Sequence, residues 1–111
     1  MKLVDIGPQM EARKQILVPA EYRSAEFVKA GEKLDEETGK PRKWGARMRV
    51  RVEVFGRQYS LQMDLPVGMT AENFKEPLVK GTMVVIHARS FGWSRDAGDY
   101  CYGEIVDKLT S

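Results

Sequence analysis

Residues 48–65 constrain the fold more than any other stretch of the chain. Met48-Arg49-Val50-Arg51-Val52-Glu53-Val54-Phe55 alternates apolar and polar side chains, and so does Arg57-Gln58-Tyr59-Ser60-Leu61-Gln62-Met63-Asp64-Leu65. A period of two marks strands with one buried and one solvated face. Between the runs, Gly56-Arg57 reads as a two-residue hairpin loop with glycine first, the type II′ pattern. That turn sets Phe55 against Gln58, Val54 against Tyr59, Val52 against Leu61, Arg49 against Asp64 and Met48 against Leu65. Every second pair is then apolar on both strands, and a slip of one residue would oppose apolar to polar throughout.

The remaining pattern is that of a small β domain. Thr70 to Leu78 reads as a short helix, with Thr70 as N-cap, Phe74 and Leu78 on one face and Pro77 limiting its length. Lys80-Gly81 opens a β-branched strand, Thr82 to Arg89. A glycine-containing loop, Ser90 to Asp99, leads to a last strand, Tyr100 to Asp107. Upstream, Gln15 to Val18 is strand-like but stopped by Pro19, Ala25 to Ala30 is a further candidate strand, and residues 31–43 form a charged loop. The pattern is weakest over residues 1–20. With 111 residues and a hydrophobic fraction of 42%, the whole chain, 1–111, fits one domain with one core. The order predicts a mostly β fold, a five-stranded oligonucleotide-binding (OB-like) barrel with one short helix between the third and fourth strands. An SH3-like barrel or a small sandwich would share that order.

Several function classes fall away. A single cysteine, Cys101, forms no internal disulfide, and no apolar run reaches the roughly 20 residues of a membrane span. The expected setting is cytoplasmic, with no membrane partner. His87, the sole histidine, sits in an apolar strand and reads as structural. Asp35-Glu36-Glu37 reads as a solvated loop rather than a metal site, and no phosphate-cradling glycine loop occurs. No catalytic group, cofactor or metal is expected, so the chain reads as a binding protein rather than an enzyme.

Charge is divided along the chain. Between Glu21 and Glu37 six acids face three bases, whereas between Lys40 and Arg57 seven bases face one acid. A field of one sign on a nearly neutral protein suits a polyanion. Arg47, Arg49 and Arg51 repeat at about 6.6 Å on one strand face, beside Gln62 on the neighbouring strand and with Lys43 and Arg57 at the ends. Guanidinium groups bind phosphate through several hydrogen bonds and also stack on bases. Trp44 precedes the arginine strand, Phe91 and Trp93 share a loop with Arg95, and Tyr100 and Tyr102 share one face of the last strand. Together these are the candidate nucleic-acid-binding residues, since aromatic platforms beside a basic groove are how unpaired strands are held.

Two resemblances arise at these residues. Leu78-Val79-Lys80-Gly81-Thr82-Met83-Val84-Val85-Ile86, followed by Ile105-Val106-Asp107, resembles the second half of bacterial single-stranded DNA-binding proteins. Tyr59-Ser60-Leu61, Leu65-Pro66, Phe74-Lys75, the Val79 strand and Asp107-Lys108-Leu109 are similar to a small family of integrative and conjugative elements. The resemblance to that family implies an OB fold, single-stranded DNA binding and assistance to the helicase that unwinds the element (a processivity factor).

The expected function is therefore sequence-tolerant binding of single-stranded DNA in support of replication, unwinding or transfer (conjugation) of a mobile element, plasmid or phage. A helicase or another replication protein is the expected protein partner. The alternatives are a protein-interaction module docking on a helicase or relaxase, and an RNA-binding domain. Oligomeric state has no signature in the sequence.

Overall fold

The computed structural model describes residues 1–95 and 98–110. A 3-10 turn (Leu3–Asp5) and a helix, α1 (Ile6–Arg13), precede the strands β1 (Ile16–Val28), β2 (Gly31–Leu34), β3 (Pro41–Trp44), β4 (Arg47–Val54), β5 (Arg57–Met63), β6 (Met83–Ser94) and β7 (Gly98–Lys108). Five strands close into a barrel in the order β1-β4-β5-β7-β6, while β2 and β3 form a separate two-stranded sheet. All neighbours are antiparallel except β5 and β7, which are parallel. A closed five-stranded barrel of this order is compatible with an OB-like fold.

The alternating hairpin forms, but its turn is one residue earlier than expected. Val54 pairs with Arg57, leaving Phe55-Gly56 as the loop, with φ of 49° and 81°. Two positive φ values belong to a type I′ geometry rather than II′, and its twist suits the flanking strands better. Each residue of β4 consequently pairs two positions away from the expected partner, so that Val52 meets Tyr59 and Arg49 meets Gln62. A shift of two preserves every side chain's face, so the inward set is unchanged.

The expected helix between the third and fourth barrel strands is absent, and the only α-helix among the described residues is α1, ahead of the first strand. Residues 70–78 instead form turns. The Asn73 side chain accepts from the Thr70 N–H at 2.6 Å and donates to the Gly68 carbonyl at 2.8 Å. Those local bonds compete with a helix that Pro77 would in any case restrict to about two turns, below the length that pays for nucleation. Phe74 and Leu78 nevertheless pack against the core. At the N-terminus, Pro8 falls in the first turn of α1 where its missing N–H is harmless, and Lys14 ends the helix in a left-handed conformation with its N–H on the Met10 carbonyl.

Pro19 does not stop β1. From Ile16 to Glu21 the strand pairs with β6, and from Glu21 to Val28 with β4, with a bulge between Tyr22 and Ser24. At Pro19 the second edge has no ladder to serve, so a missing donor costs little. Likewise, the expected loops at 31–43 and 90–99 contain ordered ladders, β2–β3 and the outer part of the β6–β7 hairpin.

Two cores result. Inside the barrel lie Ala20, Tyr22, Met48, Val50, Val52, Leu61, Val84, Ile86 and Cys101, all buried. Outside it, Ile6 of α1 covers Leu17 and Val85, side chains that a two-sided strand would otherwise present to water. Gly103 allows β7 to approach β6 closely, because a Cβ there would lie 2.1 Å from the His87 carbonyl oxygen.

Candidate nucleic-acid interface

With Met48, Val50 and Val52 buried in the core, period-two alternation turns Arg47, Arg49 and Arg51 outward. On β5, Leu61 faces in and Ser60 and Gln62 face out; on β7, Cys101 faces in and Tyr100 and Tyr102 face out. The registers align these residues in two rows across the barrel. One runs Glu26, Arg49, Gln62, Tyr102, Ser90, and the other Ser24, Arg51, Ser60, Tyr100, Gly92. Neighbouring strands are about 4.8 Å apart and the rows roughly 6.6 Å apart. Basic groups thus occupy the β4 side of the face and aromatic rings the β7 side, with a floor of Ser60 and Gln62 that is itself buried.

The arginines differ in their freedom. Arg51 is exposed and has no ion pair among the described residues. Arg49 is half-buried and its guanidinium meets Glu26 at 3.3 Å. Arg47 is half-buried, and its enclosed Nε has no hydrogen-bond partner among the described residues. Glu53, the acid of β4, is bound by Arg23, which also meets Glu21 at 3.7 Å. At the hairpin end Arg57 donates to Asp99 at 2.9 Å and lies 5.9 Å from the Tyr59 ring centre.

Most of the predicted aromatics stay accessible. Trp93 is 69% exposed, Phe91 55% and Tyr102 42%. Phe91 meets Tyr59 edge to face at 5.9 Å, and Tyr100 meets Tyr102 likewise at 5.7 Å. Gly92 is required beneath Tyr100, since a Cβ there would come within 2.6 Å of its ring. Trp44 is committed elsewhere: its ring lies against Gly31 and its Nε1 donates to the Lys29 carbonyl at 3.0 Å. Lys43 and Trp44 belong to the β2–β3 sheet, which is not hydrogen-bonded into the barrel, so neither joins the two rows. Arg95 is exposed in the turn after β6.

Three features of this face escaped the sequence. Glu26 reaches Arg49 only because β1 pairs with β4. Lys80, which the sequence places at the start of a strand, lines an open groove with Ser24, Arg51 and Gln58, brought there by the connection from β5 to β6. The third is the burial of Gln62 at 5% exposure, where alternation alone suggested a solvated amide.

Elsewhere, His87 Nδ1 lies 3.6 Å from Glu104 Oε1, and burial pushes the Cys101 thiol up to about 11, which keeps it protonated near neutrality. Among the described residues no group of histidine, cysteine or acidic side chains could hold a metal ion. Nor is any helix among them long and apolar enough to cross a membrane.

The chain matches no known family model, no curated protein and no solved structure.

Proposed function

We propose that this protein binds single-stranded DNA across the outer face of β4, β5 and β7, as a binding domain without catalytic activity. The observation that carries the reading is the registration of Arg49 and Arg51 with Tyr102 and Tyr100 across a common floor. Phosphates would lie on the arginine side and bases would stack on Tyr100 and Tyr102; Phe91 and Trp93, opposite Cys101 and Asp99 in the β6–β7 ladder, project from the other face of that hairpin. A base stacked on an aromatic side chain contributes ~1–3 kcal/mol whatever its identity, so affinity would depend weakly on sequence. Such a domain would serve replication, unwinding or transfer of DNA in the cytoplasm. Helicase assistance of the mobile-element type rests on the resemblance over about residues 45–109 alone.

The test is fluorescence anisotropy on oligo(dT) at several salt concentrations. Arg49→Ala with Arg51→Ala should weaken binding and reduce the salt slope by about 1–1.5, since each lost phosphate contact removes about 0.7 on a single strand. Tyr102→Ala should weaken binding with little change in slope, because it removes a stacking ring and no charge. Unchanged affinity in both proteins would exclude this face.

A second reading, docking on another protein, is favoured by Phe55, which is 88% exposed at a turn where its φ is positive. A large apolar side chain held in that conformation suits an interface anchor. Salt separates the two readings, because contact centred on an aromatic anchor responds to it far less than phosphate binding does.

A further inference from the structure

Beside the row that carries Ser24 and Arg51, the face continues into an open groove lined by these two residues with Gln58, Lys80, Arg23 and Glu53. Lys80 is placed there by the backbone. The Thr82 N–H donates to the Val79 carbonyl at 3.1 Å and closes a turn whose third residue, Gly81, has a φ of 94°. That is the type II pattern, and it leaves Lys80 at the outer corner. The turn is tied to β1 in both directions: the Gly81 N–H donates to the Tyr22 carbonyl at 2.8 Å, and the Tyr22 N–H donates to the Thr82 carbonyl at 2.8 Å. The β1 bulge falls between Tyr22 and Ser24, a device that re-aims the side chains beside it.

The charges in this groove are unevenly answered. Arg23 binds Glu53 and also meets Glu21. Arg51 and Lys80 are exposed, and neither has an ion pair among the described residues. Two cations on one groove repel each other unless an anion lies between them. Ser24 and Gln58 add a hydroxyl and an amide that can donate to such an anion. No aromatic ring lines the groove among the described residues, so it offers a base nothing to stack on.

We infer that this groove takes an internal phosphate of the bound single strand, so that the strand leaves the tyrosine rows past β1 and Lys80. The inference rests on the proposed single-strand binding and gives the bound strand its exit. Arg51 would serve both its row and the groove, while Lys80 would add a point charge from outside the barrel strands. The site would then extend to a further nucleotide, held by its phosphate with its base left in water.

The experiment measures anisotropy on oligo(dT), with and without a 5′-phosphate, at several salt concentrations for the wild type, Lys80→Ala and Lys80→Arg. Lys80→Ala should bind about three- to fivefold more weakly at low salt, with a salt slope shallower by about 0.7, the loss of one phosphate contact on a single strand. Lys80→Arg should restore both, and the 5′-phosphate should make no difference. Wild-type affinity and slope in Lys80→Ala, while Arg49→Ala with Arg51→Ala still weakens binding, would overturn the exit path and leave single-strand binding standing. An affinity loss with an unchanged slope would also overturn it, because no phosphate contact would then have been removed. So would a loss confined to the 5′-phosphorylated oligonucleotide, which would mark a terminal rather than an internal phosphate. A wild-type protein that binds no oligonucleotide would remove the underlying function and the exit path together.

Discussion

At the scale of single residues, the outward face is governed by which charges are already answered. Arg49 and Arg51 are two positions apart on β4, yet Arg49 meets Glu26 while Arg51 meets no carboxylate among the described residues. Glu26 therefore competes with phosphate for Arg49 and adds a like charge to the path of a bound strand. Glu26→Gln should raise single-stranded DNA affinity about two- to fivefold at low salt, the value of one exposed ion pair. The gain should shrink as salt screens it. Anisotropy at two ionic strengths measures both effects, and an affinity that falls instead would place Arg49 outside the phosphate path. The outward direction of both arginines was legible from alternation; the carboxylate against one of them was not, because Glu26 lies 23 positions away in sequence.

The elements divide into those written locally and those imposed from outside. The β4–β5 hairpin was readable because each strand carries its own alternation, and even the misplaced turn preserved the buried set. The 70–78 segment misled because Thr70, Glu72 and Pro77 are compatible with a short helix and equally with turns. Phe74 and Leu78 need only reach the core, which they do without helical spacing. The helix that does form, α1, has little amphipathic pattern, and what holds it is the contact of Ile6 with Leu17 and Val85. Ile6→Ala should therefore destabilise the protein by about 2–3 kcal/mol despite lying outside the barrel, since it empties a buried site. Urea unfolding would show it, and a loss below about 0.5 kcal/mol would mean that α1 is not docked as described.

Across the whole molecule, closure of the barrel decides what is protected. Cys101 sits inside, on the strand that joins the two halves through its parallel pairing with β5. Burial raises its pKa to about 11, because the thiolate would lose its hydration. Since the thiolate is the reactive form, iodoacetamide at about pH 8 should modify the native protein far more slowly than the unfolded chain. The rate should rise with urea in step with unfolding. Rapid native labelling would indicate that β7 separates from its neighbours without global unfolding. The barrel also explains how aromatic residues expected in a loop became part of a sheet face. Phe91 and Trp93 extend a ladder that begins within the barrel, so their position follows from β6–β7 pairing rather than from loop composition.

Alternation alone settled which side chains of β4 and β5 point outward and which fill the core, because the pleat is a property of two adjacent residues and survives any even shift of register. It could not settle which strands become neighbours. The rows that place Arg49 beside Gln62 and Tyr102, the burial of Gln62, the closing contact of β1 with β6 and the docking of α1 all depend on pairings between distant segments. Those pairings are chosen by the free energy of closing one shared core, which no local stretch of the chain contains.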